Sequence, residues 1–155
     1  MSRYLHYSRH AIFGSHVSAA GGLENAPANS RAVGGEVFQF FSRPPQGGKP
    51  KPVTDTDVKK FKQAMKDNAQ KECYIHSPYF INLASKDNRI RYGSISVLKE
   101  ELERGSLLGT KYLMFHPGSA KDVGAKKGIQ MVVEGIAEIL KGYKGSCELL
   151  VEISA

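Results

Sequence analysis

Cysteine is nearly absent from this 155-residue chain: Cys73 and Cys147 stand far apart and form no C-x-x-C pair. That excludes a disulfide scaffold and a cysteine-rich zinc site, and it favours a reducing, cytosolic setting. No run of about 18 apolar residues occurs and no signal peptide precedes the first apolar run, so membrane-spanning and secreted classes are not expected. Acidic residues are the scarcer charge, with 15 Asp and Glu against 22 Lys and Arg, leaving a net charge of +7. Such an excess favours a polyanionic partner such as nucleic acid. The remainder is ordinary for a globular protein, 41% hydrophobic and 24% charged, which excludes a disordered chain. One domain over residues 1–155 is expected, opening with a polar arm over 1–10 that carries His6 and His10.

Five short apolar runs stand out: Ala11–Ser15, Glu36–Phe41, Cys73–His76, Lys111–His116 and Glu148–Glu152. They are mostly continuous rather than alternating, the pattern of parallel strands buried on both faces. Helical patterns lie between them. Gly21–Val33 is the weakest, because Pro27 fits only a first turn or a kink. Thr56–Gln70 follows the candidate caps Thr54 and Asp55 and spaces Val58, Phe61, Ala64 and Met65 for a helix. Ile90–Leu108 carries Ile95, Leu98, Leu102 and Leu107, with Gly109 to close it. Ile129–Leu140 puts Ile129, Val132, Val133, Ile136, Ile139 and Leu140 on one face. Strict alternation of strand and helix argues an α/β fold with a parallel sheet. The stretch PPQGGKPKPV over 44–53 reads as a solvated connector. The fifth run has no helix after it to cover its outer face, which suggests a gene fragment.

Three of the runs end on residues that ligate metals: YIH at His76, LMFH at His116 and LLVE at Glu152, each about one βα unit from the next. Parallel α/β folds build their sites at the carboxyl ends of strands. Two His and one Glu make a catalytic zinc set that leaves a fourth position for water, and the carboxylate can also bridge to a second metal. The plainer alternative is three polar residues facing solvent at strand ends. Pro and Gly follow both histidines, in HSPYFINLAS and HPGSA, and would turn the chain sharply to leave the imidazoles at the rim. His16 sits in GSHVSAAGG, where Gly21 and Gly22 lead toward a helix. That turn is either a phosphate-holding helix N-terminus or a simple βα connection.

Taken in order, GSHVSAAGGLENAP, HSPYFINLAS, FHPGS and LLVE resemble the endonuclease IV family of apurinic/apyrimidinic endonucleases across the whole chain. The resemblance implies a xylose isomerase-like TIM (β/α)8 barrel, present here as about five βα units of a fold that typically takes about 250 residues. It implies a trinuclear zinc centre that hydrolyses the phosphodiester 5′ to an abasic site in double-stranded DNA. His76, His116 and Glu152 match zinc ligands, with Glu152 bridging two metals as part of the catalytic group. Tyr79 and Phe80 match a pair that packs into the minor groove beside the extruded abasic sugar. His16 and Arg43 would be among the DNA-binding residues, with Lys49 and Lys51 also able to touch phosphates.

Two departures go with the resemblance. The loop after the second strand carries SRPPQGGKP where the family usually has an Asn and an Arg ahead of a Trp, a residue this chain lacks. Ligands for only one zinc of the three are complete, since the others come from later strands. Two further readings remain open: a metal-dependent sugar isomerase or epimerase on the same barrel, and a non-catalytic nucleic-acid-binding half-barrel. The aromatic pair and the basic residues over 43–51 suit a duplex more than a small sugar. The chain is expected to be cytoplasmic, to have no membrane partner, and to self-associate through open sheet edges.

Overall fold

Strand and helix alternate strictly along the computed structural model, which describes residues 11–153. The order is β1 (Gly14–His16), α1 (Asn25–Ala32), β2 (Val37–Phe40), α2 (Asp55–Asp67), β3 (Glu72–His76), α3 (Asn88–Leu108), β4 (Tyr112–Phe115), α4 (Ala125–Leu140) and β5 (Glu148–Val151). The five strands form one parallel sheet in chain order, β1-β2-β3-β4-β5. The polar arm, with His6 and His10, lies outside the described residues. No helix among the described residues is long and apolar enough to cross a membrane.

The helix boundaries follow local chemistry. Thr54 and Asp57 make a reciprocal capping box at the start of α2. Asp87 caps α3 by accepting from Arg89 N at 2.8 Å, and Gly109 ends that helix at φ +78°, the left-handed conformation glycine adopts freely. Pro27 falls in the first turn of α1, where its missing N–H is no loss.

Burial differs from the sequence expectation in one respect. The strands are not buried on both faces: Phe38, Phe40, Cys73, Ile75, Leu113 and Phe115 lie fully beneath the helices, while Val37, Gln39, Tyr74, Tyr112 and Met114 between them are half-buried. The second set lines the inner side of the sheet. β1 and β5 are not neighbours, so that side is not filled by strands from across a closed barrel.

The other differences are smaller. β1 begins at Gly14 rather than Ala11, because only Gly14–His16 pair with β2. Leu108, not Leu107, turns into the core from α3. On α4 the expected apolar face is split: Ile139 is buried, but Ile129 and Val133 are 67% and 61% exposed. α4 packs mainly against α3, and Val132, Ile136 and Ile139 meet the core while Ile129 and Val133 stay outside it. Cys73 and Cys147 are free and buried, and burial pushes the Cys73 thiol up to about 12, which leaves it inert.

Candidate metal centre

Parallel register brings the candidate ligands to one end of the sheet. His76 pairs opposite Met114, and Phe115 opposite Val151. His76 therefore ends β3, while His116 and Glu152 are the first residues past β4 and β5. His16 ends β1 on the same rim rather than following the strand as the sequence suggested.

Glu152 Oε2 lies 3.8 Å from His76 Nε2 and 3.7 Å from His116 Nε2. All three ligand atoms fall within 4.8 Å of one another, the one such His/Cys/Asp/Glu group among the described residues. A tetrahedral zinc with bonds of about 2.0–2.2 Å needs ligand atoms roughly 3.3–3.6 Å apart, so the two Glu152–His distances need close by only a few tenths of an ångström. The chemistry of the donors fits as well. His76 Nδ1 lies 2.6 Å from the Ser77 carbonyl oxygen, which can only accept, so Nδ1 holds the proton and Nε2 offers its lone pair. Burial, assisted by the nearby His116 and His16, lowers the His76 pKa and keeps the ring neutral at pH 7, as a metal ligand must be. His116 Nδ1 is buried without a hydrogen-bond partner, so its ring lacks the outer support that His76 has.

The turn after His116 is braced against the loop after β3. Leu83 N donates to Pro117 O at 3.0 Å, and Asn82 Nδ2 donates to Ser119 O at 3.3 Å. Gly118 sits between them at φ +98°, where an added Cβ would come 2.5 Å from Asn82 Cα. Gly118→Ala is therefore strained twice over. It is expected to cost more than about 1 kcal/mol in urea unfolding and to weaken zinc uptake through His116, measurable by titration.

Tyr79 and Phe80 are 69% and 42% exposed beside the ligands. A residue not singled out in the sequence joins them: Phe41 packs at ring-centroid distances of 4.5 Å from His16, 5.4 Å from His76 and 5.2 Å from Tyr79. Gln39 was missed too; its Oε1 is 2.9 Å from His16 Nδ1, which leaves Nε2 of that ring at the rim. No local signal marks either residue, since both read as ordinary members of a strand.

Arg43 is a correction. It is only 6% exposed, with Nε 2.7 Å from Glu101 and Nη2 2.7 Å from Glu100, and so does not face a duplex. Two carboxylates on α3 draw it inward. Glu101 was not singled out in the sequence, although its place on the apolar stripe of α3 with Leu98 and Leu102 is the signal that marks it. Lys49 and Lys51 are exposed. At the Gly21–Gly22 turn, the N-cap of α1 is Glu24, whose side chain makes no capping hydrogen bond and lies 3.8 Å from Lys60 Nζ instead.

A parallel βα sheet in chain order that gathers two imidazoles and a carboxylate at the ends of three successive strands is the framework of an α/β barrel with its site at the strand ends. The chain belongs to the xylose isomerase-like TIM barrel family, whose model matches residues 27–153. It is 33% identical over 137 residues to the probable endonuclease 4 of Clostridium beijerinckii, a match covering 88% of this chain and 50% of that protein. Endonuclease IV from Thermus thermophilus is similar in structure, with a TM-score of 0.80, 28% identity and coverage of 93% of this chain and 52% of that one. A solved D-psicose 3-epimerase shares the fold alone, with a TM-score of 0.59 at 13% identity over 83% of this chain and 48% of that one. The chain spans about half the length of the relatives it matches.

Proposed function

We propose that this chain is the metal-holding part of a zinc-dependent phosphodiester hydrolase that cuts double-stranded DNA 5′ to abasic sites. The observation that carries the reading is the convergence of His76, His116 and Glu152 on one point of the rim, with Tyr79 and Phe80 exposed beside it. Zinc bound there would supply Lewis acidity toward water and a phosphate oxygen. His76 and His116 would hold that ion through ring nitrogens and Glu152 through its carboxylate. Tyr79 and Phe80 fill the gap left by an extruded nucleotide and exclude water from it. His16, held by Gln39 through Nδ1, lies on the same DNA-facing rim, and Lys49 and Lys51 bind the backbone. In structural comparison, an identity of 28% to an endonuclease against 13% to the epimerase favours this reading over a sugar isomerase.

Abasic and undamaged duplexes test it. The double substitution Tyr79→Ala, Phe80→Ala is expected to weaken binding to abasic DNA by about 2 kcal/mol, the scale of aromatic–base stacking, and to leave undamaged DNA much less affected. Equal losses would assign the pair to packing or general affinity. With ligands for one ion, the 155-residue chain alone is expected not to turn over abasic DNA, whereas a chain extended by the remaining barrel strands is expected to incise it with added zinc. Epimerisation of a ketose without incision would establish the sugar reading; salt-sensitive, zinc-independent binding without incision would establish the non-catalytic one. The reading also includes a cytoplasmic location, and self-association of the 155-residue chain through the open β1 and β5 edges. Sedimentation as a monomer throughout a micromolar concentration series would overturn the latter.

A further inference from the structure

The loop after β2 has little means of holding its own shape. It contains four prolines, Pro44, Pro45, Pro50 and Pro52, and the pair Gly47–Gly48. Among the described residues its only internal backbone hydrogen bond runs from Gly47 N to Pro44 O at 3.2 Å. Most of 44–53 is exposed, as expected of a connector, yet Ser42, Arg43 and Pro50 are buried and anchor it.

Buried charge on α3 does the holding. Glu101 is completely buried, a costly place for a carboxylate unless it is paired and hydrogen-bonded. Its Oε2 accepts from Ser42 Oγ at 2.6 Å and its Oε1 from Arg43 Nε at 2.7 Å. Arg104, one turn further along α3, has Nε 3.4 Å from Glu101 Oε1 and donates it to Ser42 Oγ at 3.0 Å. The same guanidinium donates Nη1 to the Lys51 carbonyl at 2.8 Å and Nη2 to the Ser42 carbonyl. One arginine thus ties both ends of the loop over 42–51, and Glu101 beneath it neutralises it. Lys49 and Lys51 are held exposed on this clamp, lining a cleft with Lys60 and Gly22.

We infer that Glu101, Arg43 and Arg104 are positioning residues for nucleic-acid binding, which act by holding Lys49 and Lys51 where they meet the phosphate backbone. The inference rests on the nucleic-acid reading proposed above. It differs from a direct role for Arg43, whose guanidinium faces Glu100 and Glu101 rather than solvent.

The salt dependence of binding separates the possibilities, because each lysine–phosphate contact contributes about 0.9 to the slope of log affinity against log salt. The 155-residue chain is titrated with an abasic-site duplex over a salt series, as wild type, Glu101→Gln, Lys49→Ala with Lys51→Ala, and the triple variant. The double lysine variant is expected to lower the slope by about 1.8. Glu101→Gln is expected to lower it equally while both lysines remain, and to change nothing further in the triple variant. Zinc uptake in the same samples reports whether the rim is folded. If Glu101→Gln fails to fold, Arg104→Lys takes its place: it keeps the charge but not the fork that reaches both carbonyls, and the same slope loss is expected. A lower melting temperature with an unchanged slope would overturn the inference, assigning the cluster to stability alone. A slope that is kept or raised in Glu101→Gln but lowered by about 0.9 in Arg43→Ala would overturn it in favour of direct contact by Arg43. Wild-type chain with no salt-dependent duplex binding would overturn the nucleic-acid reading itself, and the inference with it.

Discussion

Replacing His116 by alanine is expected to weaken zinc uptake by the 155-residue chain at least about 100-fold, beyond the 10–100-fold that loss of an outer partner costs. A competition titration against a chromophoric chelator measures it; uptake identical to wild type would show that His116 is not a ligand. The expectation follows from the geometry. Three ligand atoms within 4.8 Å are the minimum that can hold the ion, and removing His116 leaves one nitrogen and one carboxylate. Wild type is expected to take up one equivalent, since no second group of ligands exists among the described residues. Without metal, stability should depend on pH through His76. Its pKa is lowered on folding, so below the ordinary value of 6.5 the unfolded chain binds more protons, and the apo protein loses stability as pH falls.

Phe61→Ala is expected to destabilise the fold by about 3–5 kcal/mol, read as a lower urea midpoint at unchanged slope. Phe61 is the only fully buried residue of α2. Its ring lies 5.5 Å from Phe40 and 6.4 Å from Phe38, pinning the helix to the outer face of β2. Neighbours held by the sheet cannot collapse into the space the ring would leave, so most of the cavity cost remains. Leu107→Ala makes the contrast: Leu107 is 50% exposed on α3, and its loss should stay within about 0.5 kcal/mol. Comparable effects from the two would mean that the α3 face is misplaced.

Much of this was legible in the chain itself. The four helices and five strands come from local signals: a capping box at Thr54, a glycine stop at Gly109, and short apolar runs between helical spacings. The ligands were legible for the same reason, because His76, His116 and Glu152 each close an apolar run, and strands aligned in parallel put such residues at one end. The α4 stripe was legible as apolar, but not as half-covered. Ile129 and Val133 are hydrophobic in the sequence whether or not anything packs on them.

Arg43 shows the limit most clearly. In the sequence it is one more cation in a basic loop, no different in kind from Lys49 and Lys51. Its inward turn depends on Glu100 and Glu101, more than fifty residues later in the chain, and on the approach of α3 to the loop after β2. Phe41 and Gln39 became part of the site through contacts with His16, a residue on the neighbouring strand. The proton position on His76 was set by a carbonyl that the turn at Ser77 presents to it.

The sequence by itself determined the order of elements, the parallel α/β class and which side chains stand at the strand ends as candidate metal ligands, because periodicity, caps and strand ends are properties of neighbouring residues. Only the tertiary structure decided which charges face outward, which nitrogen of His76 is free to bind, and how far each apolar face is covered. Burial and charge pairing are set by groups distant in the chain, and nothing local to Arg43 or Ile129 distinguishes the paired or covered state from the open one.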